Sequence, residues 1–194
     1  MIAKRLCDVV VSSMALVILA PVLLVIALAV FLDSGLPILF TQERIGLHFR
    51  TFRIRKFRTM VANGRGNLIT VSGDHRVTRV GKFLRITKLD ELPQFWNVLV
   101  GEMSLVGPRP EIAQYVEPFR ERYASILTVR PGITDLASIE FRNEEEVLRK
   151  CQDPLKAYVE QVLPAKLDLA DKYVTSHSVL GDFVILFRTA LKLI

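Results

Sequence analysis

Two adjacent carboxylates, Asp90 and Glu91, are the residues of this sequence best suited to chemistry. A series of cations at intervals of three residues leads up to them: Arg76, Arg79, Lys82, Arg85 and Lys88. The partial positive charge of a helix N-terminus stabilises carboxylates, and it stabilises phosphates as well. Acids and cations placed so close in sequence suggest two carboxylates at the start of a helix, surrounded by positive charge.

A helix that begins near Asp90 would position both carboxylates. Apolar residues recur after them at helical spacing, and Pro93 is tolerated only in the first turn of a helix. We therefore expect Asp90 at or near the N-cap, where free N–H groups favour carboxylates and phosphates. This local pattern leaves two interpretations open: Asp90 as a plain helix cap with Glu91 as a first-turn acid, or a reactive pair.

The cations before the carboxylates fall on one face of a predicted helix. Thr78 can cap a helix over residues 79–86. Positions 79, 82 and 85 then lie within roughly 120° of one another around the helix axis. Arg85 is the member of this face nearest to the carboxylates. Phosphate binding by this face, and simple solvation or contact with lipid headgroups, both remain open.

Arg109 stands in a segment whose backbone is restricted, because Pro108 precedes it and Pro110 follows it. A guanidinium held in place is suited to gripping a phosphate group. Residues 111–126 follow with the apolar spacing of an amphipathic helix, and this helix is expected to pack into the core.

An uncharged segment of about 24 residues, 9–32, is long enough to cross a bilayer. Pro21 interrupts it directly after Ala20, and basic residues flank it on both sides. Basic clusters stay on the cytosolic side of a membrane. A helix–break–helix hairpin that enters and leaves by one face satisfies both flanks, and a spanning helix with a proline kink is the alternative.

The remaining segments predict an α+β domain that is mostly helical. Strands expected to form a small β-hairpin lie at residues 38–42 and 51–55. A loop without periodicity is expected over residues 61–74. Further helices are expected over residues 144–150, 154–172 and 179–194. The last has a broad apolar face, which suits either a core or a membrane interface.

The composition limits the classes of partner. The chain has 194 residues and a formal net charge of +6, which favours an acidic partner such as anionic lipid, a phosphorylated substrate or nucleic acid. Nucleic acid is the least favoured, because aromatic residues are sparse and no nucleic-acid-binding motif occurs. Two cysteines, Cys7 and Cys151, form no disulfide framework, which argues against a disulfide-stapled secreted protein.

Several long segments resemble the bacterial sugar transferases, the monotopic polyprenol-phosphate phosphoglycosyl transferases. The clearest reads Lys-Leu-Asp-Glu-Leu-Pro-Gln-Phe-Trp-Asn-Val-Leu at residues 88–99. Other matching segments lie at residues 56–60, 76–85, 101–111 and 129–134, with an Arg-Asn pair at 142–143. Two positions depart from the family pattern: Ala20 stands where a serine often precedes the proline, and residues 135–138 read Asp-Leu-Ala-Ser in place of Gly-Trp-Ala-Gln. The second departure leaves the donor sugar open.

The resemblance implies transfer of a sugar-1-phosphate from a UDP-sugar to undecaprenyl phosphate, a polyprenol phosphate, with Mg²⁺ and release of UMP. It implies that Asp90 forms a covalent aspartyl intermediate and that Glu91 supports the metal or a proton transfer. Both acids are candidate metal ligands. The candidate phosphate contacts are Lys56, Arg85, Arg109 and Arg142.

The resemblance also implies an organisation in two parts. A re-entrant membrane helix hairpin with its bend at Ala20 and Pro21 is expected over residues 1–36. A catalytic domain with amphipathic interfacial helices is expected over residues 37–194, at the cytoplasmic face of the bacterial inner membrane and in contact with membrane lipid. Assembly into a homo-oligomer is left open.

Two rival functions follow from the same residues. One is a non-catalytic membrane adaptor that binds anionic lipid through its basic surface. The other is an enzyme that transfers the sugar-phosphate directly, without a covalent intermediate, so that Asp90 serves only the magnesium ion.

Overall fold

The computed structural model describes residues 2–61 and 73–193. Its helices are α1 (Ile2–Ile18), α2 (Ala20–Ser34), α3 (Arg79–Thr87), α4 (Gln94–Val100), α5 (Ala113–Val116), α6 (Arg120–Ile126), α7 (Leu136–Glu140), α8 (Glu144–Arg149), α9 (Pro154–Ala157), α10 (Leu163–Ser176) and α11 (Val179–Leu193). Its strands are β1 (Leu39–Ile45), β2 (Thr51–Phe57), β3 (Ser104–Val106) and β4 (Gly132–Thr134). The predicted mostly helical α+β class is confirmed. The loop predicted over residues 61–74 lies mainly outside the described residues.

A bend of 62° separates α1 from α2, at the break that the sequence predicts beside Pro21. Pro21 lies in the first turn of α2, where its missing N–H removes no helical hydrogen bond. No single helix in the described ranges is long and apolar enough to cross a membrane, whereas the bent pair together meets that requirement by length and composition. The break is therefore confirmed, and re-entry stays a prediction.

Both ends of the bent pair are bonded to the rest of the protein. Near the start of α1, the guanidinium of Arg5 donates to the carbonyls of Val98 and Leu99 at 2.6 and 2.9 Å, where α4 ends. At the end of α2, Arg58 donates to the carbonyl of Gly35 at 2.6 Å. A cation beside the last carbonyls of a helix is favourable. The outer ends of α1 and α2 are thus both bonded to the part of the protein that follows the helix pair.

Asp8 ties α1 to β3. It is buried, and its Oδ1 accepts hydrogen bonds from the Ser104 hydroxyl at 3.1 Å and the Leu105 amide at 3.0 Å. One turn earlier, Lys4 forms an ion pair with Asp182 of α11. The charges at the start of α1 therefore make internal bonds, in addition to any attraction to a membrane surface.

β1 and β2 form the predicted β-hairpin, which is longer than expected at both strands. β2 buries Phe52 and Ile54 and exposes Arg53 between them, as the period-two pattern requires. The strand continues to Phe57, two residues beyond its predicted end. This extension carries Lys56 towards the carboxylates.

The predicted helix over residues 111–126 is wrong in its extent. α5 begins only at Ala113, and a 3₁₀ turn at Glu117–Phe119 separates it from α6. Pro118 has no N–H to continue the helical ladder, which explains the interruption. Glu111 lies before the start of α5 and is buried.

Two predicted helix starts are confirmed by their caps. The Thr78 hydroxyl accepts a hydrogen bond from the Gly81 amide at 2.9 Å and begins α3. The Ser178 hydroxyl accepts from the Gly181 amide at 3.0 Å and begins α11. The helix predicted over residues 154–172 is present as α9, one π turn at Tyr158–Val162 and α10, which extends to Ser176.

Candidate functional site

The two carboxylates lie on a 3₁₀ turn, Leu89–Glu91, between α3 and α4. Lys88 precedes the turn in the left-handed conformation, with a φ of 58°, and ends α3. The N-cap residue of α4 is Pro93, so the expectation of Asp90 at the helix cap is wrong. Leu92 and Pro93 already have helical backbone angles, but the amides of Phe95 and Trp96 donate to the carbonyls of Leu92 and Pro93 in the 3₁₀ pattern, so the assigned α-helix begins only at Gln94.

Glu91 is held by two cations that reach it from other elements. Its Oε1 accepts hydrogen bonds from Lys56 Nζ at 2.8 Å and from Arg109 Nη2 at 2.6 Å. Burial alone would raise the pKa of Glu91, but the charges and hydrogen bonds of Arg109 and Lys56 outweigh it and hold the pKa well below 4.5, its ordinary value. Glu91 is therefore a fixed carboxylate.

Asp90 is buried, with only 7% of its surface exposed. Its Oδ1 is buried and has no hydrogen-bond partner within the described ranges. Burial and then the charge of Glu91 raise the pKa of Asp90 above 3.8, its ordinary value, against the opposing charges of Lys56 and Lys88. The two neighbouring acids are thus unlike: one is locked by cations, and the other carries a free oxygen.

Arg109 is positioned where two backbone segments lie in close contact. One segment is β3 together with the residues directly after it, and the other is β4. The strands pair in parallel. The Gly107 amide then donates to the Thr134 carbonyl at 3.1 Å, and the Gly132 amide to the Pro108 carbonyl at 3.0 Å. A Cβ on either glycine would overlap backbone atoms of the opposite segment. The two glycines therefore let the backbones meet beside Arg109.

Gly132→Ala is expected to lower the free energy of unfolding by about 3 kcal/mol, because the new methyl group meets rigid backbone rather than a movable side chain. Chemical denaturation of the purified protein measures this loss. Gly181→Ala in α11 is the matched control, since its methyl group would approach only the Ser178 hydroxyl. Equal stability of both variants would contradict the close contact.

Asp135 is a positioning residue that the sequence did not single out. Its Oδ2 accepts a hydrogen bond from the Arg109 amide at 3.1 Å, while its Oδ1 accepts from the Ser138 amide at 2.7 Å and caps α7. An acid directly before a short apolar run is a helix-capping signal that could have identified it. Its second bond, to Arg109, depends on the fold.

A cleft of about 750 Å³ opens beside Glu91. The predicted residues Arg85, Arg109 and Arg142 also line this cleft. Lys56 and Asp90 do not belong to its wall among the described residues, although both adjoin Glu91. The structure therefore brings Glu91, Arg85, Arg109 and Arg142 to the wall of a single cleft, with Asp90 and Lys56 next to Glu91.

Arg85 and Arg142 approach the cleft from different elements. Arg85 forms an ion pair with Glu145 of α8 and contacts the Met60 sulfur at 3.7 Å. Arg142 is exposed on the turn between α7 and α8. Their contact with phosphate stays a prediction, and for Arg85 it would require exchange of the bond to Glu145.

Sequence reasoning missed an ionic group on the cleft floor. Arg44 Nη1 lies 3.1 Å from Glu111 Oε2, and the Tyr158 hydroxyl donates to Glu111 Oε1 at 2.7 Å. Burial lowers the pKa of Arg44, and Glu111 opposes this. The mistaken placement of Glu111 inside a helix hid this group, whose members come from three distant segments.

The carboxylate pair is compatible with a magnesium ion. No group of three or more His, Cys, Asp or Glu side chains within residues 2–61 and 73–193 is arranged to hold a metal by itself. Mg²⁺ often uses one or two carboxylates together with substrate phosphates and water. The free Oδ1 of Asp90 beside Glu91 fits that limited donor set.

The chain belongs to the bacterial sugar transferase family, whose sequence pattern it matches over residues 1–194. This agrees with the resemblance stated from the motifs.

Three relatives illustrate the range within the family. The UDP-glucose:undecaprenyl-phosphate glucose-1-phosphate transferase of Klebsiella pneumoniae is 40% identical over 99% of this chain and 40% of its own length. The UDP-N-acetylgalactosamine-undecaprenyl-phosphate N-acetylgalactosaminephosphotransferase of Aeromonas hydrophila is 43% identical over 70% of this chain and 33% of its own length. The undecaprenyl-phosphate galactose phosphotransferase of Salmonella typhimurium is 33% identical over 96% of this chain and 39% of its own length. The chain thus spans about two fifths or less of these relatives.

Proposed function

We propose that this protein transfers a sugar-1-phosphate from a UDP-sugar to undecaprenyl phosphate. The observation that carries the proposal is the buried Asp90 carboxyl group, whose Oδ1 has no partner in the described chain, beside the fixed Glu91–Lys56–Arg109 group. A plain helix cap would use its oxygens on backbone amides. The names of the three relatives support the same reaction class, although each names a different sugar.

The transfer proceeds by two successive displacements at phosphorus, in which Asp90 is the nucleophile of the first and the leaving group of the second. One carboxylate oxygen forms a bond to the phosphorus that carries the sugar, while the bond from that phosphorus to the UMP oxygen breaks and its electron pair leaves with UMP. An oxygen of undecaprenyl phosphate then forms the new bond to phosphorus, and the electron pair returns to the Asp90 carboxylate. Covalent catalysis divides one transfer between two bulky substrates into two steps.

Glu91 and Arg109 provide fixed charge around the reacting phosphate. A carboxylate with a pKa far below its ordinary value is a weak base, so the metal-supporting role of Glu91 is favoured over proton transfer. About a third of the Arg109 side chain is exposed, and the residue lines the cleft, so it can meet a phosphate while bonded to Glu91. Mg²⁺ held by Glu91 and Asp90 would neutralise phosphate charge.

The bent pair α1–α2 is proposed to enter and leave the membrane by the cytoplasmic face. Its outer ends are bonded to one body through Arg5 and Arg58. Its apolar side chains are widely exposed between those ends, as are several on α3, α4 and α11. Strongly exposed examples are Val17, Leu24, Val25, Leu32, Phe83, Ile86, Leu180 and Phe187. Lipid is the environment that accepts such a surface, and the polyprenol acceptor is itself a lipid.

Labelling of single cysteines at positions 2 and 51 is expected to place both flanks of the bent pair on the cytosolic side. Ile2 and Thr51 are exposed, so a maleimide probe reaches either one when it is on the same side. Intact cells and inverted vesicles are compared, in a background without Cys7 and Cys151. Labelling of only one position from outside the cell would indicate a spanning helix.

The reaction itself is tested with purified protein in a bilayer mimic. Undecaprenyl phosphate, Mg²⁺ and a panel of UDP-sugars are supplied, and UMP release is measured. Release that depends on the acceptor, with formation of a lipid-linked sugar diphosphate, is expected for at least one donor. Release of neither product from any donor, with binding to anionic vesicles, would favour the adaptor function. A location of the protein at the bacterial inner membrane is part of the same proposal.

A further inference from the structure

Four buried or half-buried polar residues lie on the cleft floor and have no role in the transfer described above. This floor group consists of Arg44, Glu111, Tyr115 and Ser138. Arg44 and Glu111 form an ion pair, with their side chains 21% and 10% exposed. The Tyr158 hydroxyl donates a hydrogen bond to Glu111 Oε1. The group therefore forms a polar floor fixed by its own bonds.

Three atoms of the floor group remain without a partner in the described part of the chain: Arg44 Nε, Tyr115 Oη and Ser138 Oγ. All three atoms are buried, and Tyr115 as a whole is 5% exposed. Proteins rarely leave buried donors and hydroxyls unpaired, because the cost of removing them from water is then not recovered. Three such atoms, all on residues that line one cleft, indicate that a polar ligand in that cleft completes their hydrogen bonds.

The chemistry of these atoms suits vicinal hydroxyl groups. Tyr115 and Ser138 carry hydroxyls that can donate or accept, Arg44 Nε can only donate, and the Glu111 carboxylate can only accept. A hexose ring presents alternating donors and acceptors of this kind.

The floor group lies beside the position where the donor phosphate would be held. Glu111 follows Arg109 by two residues, so their Cα atoms are at most about 7 Å apart. In an in-line displacement, the nucleophile and the leaving UMP lie on opposite sides of the phosphorus. The sugar oxygen is one of the remaining substituents and points sideways. A pocket beside Arg109, rather than opposite Asp90, is therefore where the sugar belongs.

We propose that the floor group binds the hexose of the UDP-sugar and discriminates between donor sugars. The proposal rests on the transfer function proposed above and adds to it the part of the cleft that selects the sugar. Tyr115 and Ser138 are the specificity-determining residues, because their hydroxyls are free to bond the sugar. Arg44 and Glu111 position the sugar through the remaining N–H and carboxylate lone pairs.

Two variants test the floor group by removing hydroxyls, and neither removal breaks a hydrogen bond within the described part of the protein. Tyr115→Phe and Ser138→Ala each remove one hydroxyl that has no partner in the described chain. Tyr173→Phe is the control, since it removes a buried tyrosine hydroxyl outside the cleft, bonded to Asp182 at 2.8 Å. Because Tyr115→Phe removes a buried unpaired group, its melting temperature without ligand should equal or exceed that of the wild type.

The experiment measures kcat/KM for UDP-glucose, UDP-galactose and their N-acetylamino counterparts, together with calorimetric binding of UDP and of each UDP-sugar. The wild type is expected to prefer one sugar over its C4 epimer. Tyr115→Phe and Ser138→Ala should each change this preference about three- to tenfold and weaken binding of the preferred UDP-sugar, with UDP binding unchanged. The preference of Tyr173→Phe should equal that of the wild type.

Three outcomes would overturn the sugar pocket while leaving transfer intact: equal use of epimers by the wild type, an unchanged preference in both variants, or equal weakening of UDP and UDP-sugar, which would indicate a nucleotide pocket. If the wild type turns over no donor, the transfer function fails. The calorimetric binding measurements then test the sugar pocket without turnover. Weaker binding of the UDP-sugar, but not of UDP, in Tyr115→Phe supports the pocket. Absence of any sugar-dependent binding overturns both proposals.

Discussion

Asp90→Asn is expected to abolish turnover, with a loss of at least about 10⁴-fold in kcat, the scale seen when a covalent nucleophile is removed. Asparagine has nearly the same shape, but its amide oxygen does not attack phosphorus as a carboxylate does. The variant should nevertheless fold well. Burial raises the pKa of Asp90, so the charged form is disfavoured in the folded state, and a neutral side chain removes that cost. An inactive variant of equal or greater stability is the expected result.

Intact-mass measurement after incubation with donor and Mg²⁺, without acceptor, tests this directly. The wild type should gain the mass of the sugar-phosphate, and Asp90→Asn should not. Acid quenching limits hydrolysis of the acyl-phosphate before detection. Asp168→Asn on α10 is the matched control, since Asp168 is largely exposed and pairs only with Arg122 among the described side chains.

The outcomes separate the three functions. Turnover by the wild type without an adduct after acid quenching would favour direct transfer. Full activity of Asp90→Asn would overturn the catalytic assignment of Asp90. Absence of turnover in the wild type, with every donor tried, would leave the membrane adaptor as the better hypothesis.

Glu91→Gln is expected to reduce both stability and rate. The substitution leaves Lys56 and Arg109 without their shared counter-charge, and breaking a buried ion pair from one side typically costs several kcal/mol. We expect a loss of about 3 kcal/mol, at the low end because a third of the Arg109 side chain is exposed. The rate should fall about 10²–10³-fold, as when one charged group that stabilises a transition state is removed.

Glu43→Gln provides the control for the stability effect. Glu43 pairs with Arg53 at 3.6 Å, and both side chains are about 70% exposed, so the expected change is below about 0.5 kcal/mol. Denaturation curves of the two variants and the wild type at pH 7 measure the difference. Equal stability of the two variants would show that the Glu91 group is not a fixed part of the fold.

The stability difference between wild type and Glu91→Gln should depend on pH with a defined sign. The pKa of Glu91 is lowered in the folded protein, so its carboxylate contributes stability that is fully present above 4.5, its ordinary value. This contribution is lost as the pH falls through the lower pKa of the folded state. The two denaturation curves should therefore converge on acidification, and a constant difference down to pH 2 would contradict the assignment.

Local sequence determined the elements that carry the site. The Thr78 cap, the start of α11 at Val179, the alternation in β2 and the break at Pro21 depend on residues within a few positions of one another. The structure has all four where the sequence predicts them. Propensity, capping and periodicity act over this short range. The motif spacing likewise identified the carboxylate pair and Arg109 as members of one site.

Only the tertiary structure decided how the two neighbouring acids differ. Lys56 lies 35 residues before Glu91 and Arg109 lies 18 residues after it, and folding brings both onto the same carboxylate oxygen. Folding also buried Asp90 and left one of its oxygens free. A local pattern cannot specify such contacts, because burial and charge pairing depend on residues that are distant in sequence.

The same limit explains the error at Glu111. Its apolar neighbours indicated a helix, but the helix begins only at Ala113, and the Glu111 side chain bonds to Arg44 and Tyr158 from distant segments. The sequence by itself thus indicated Asp90, Glu91 and Arg109 as members of a candidate site and determined the local elements that hold them. The fold alone decided which acid is locked, which is free and which polar atoms line the cleft floor, because these properties arise from the packing of segments far apart in the chain.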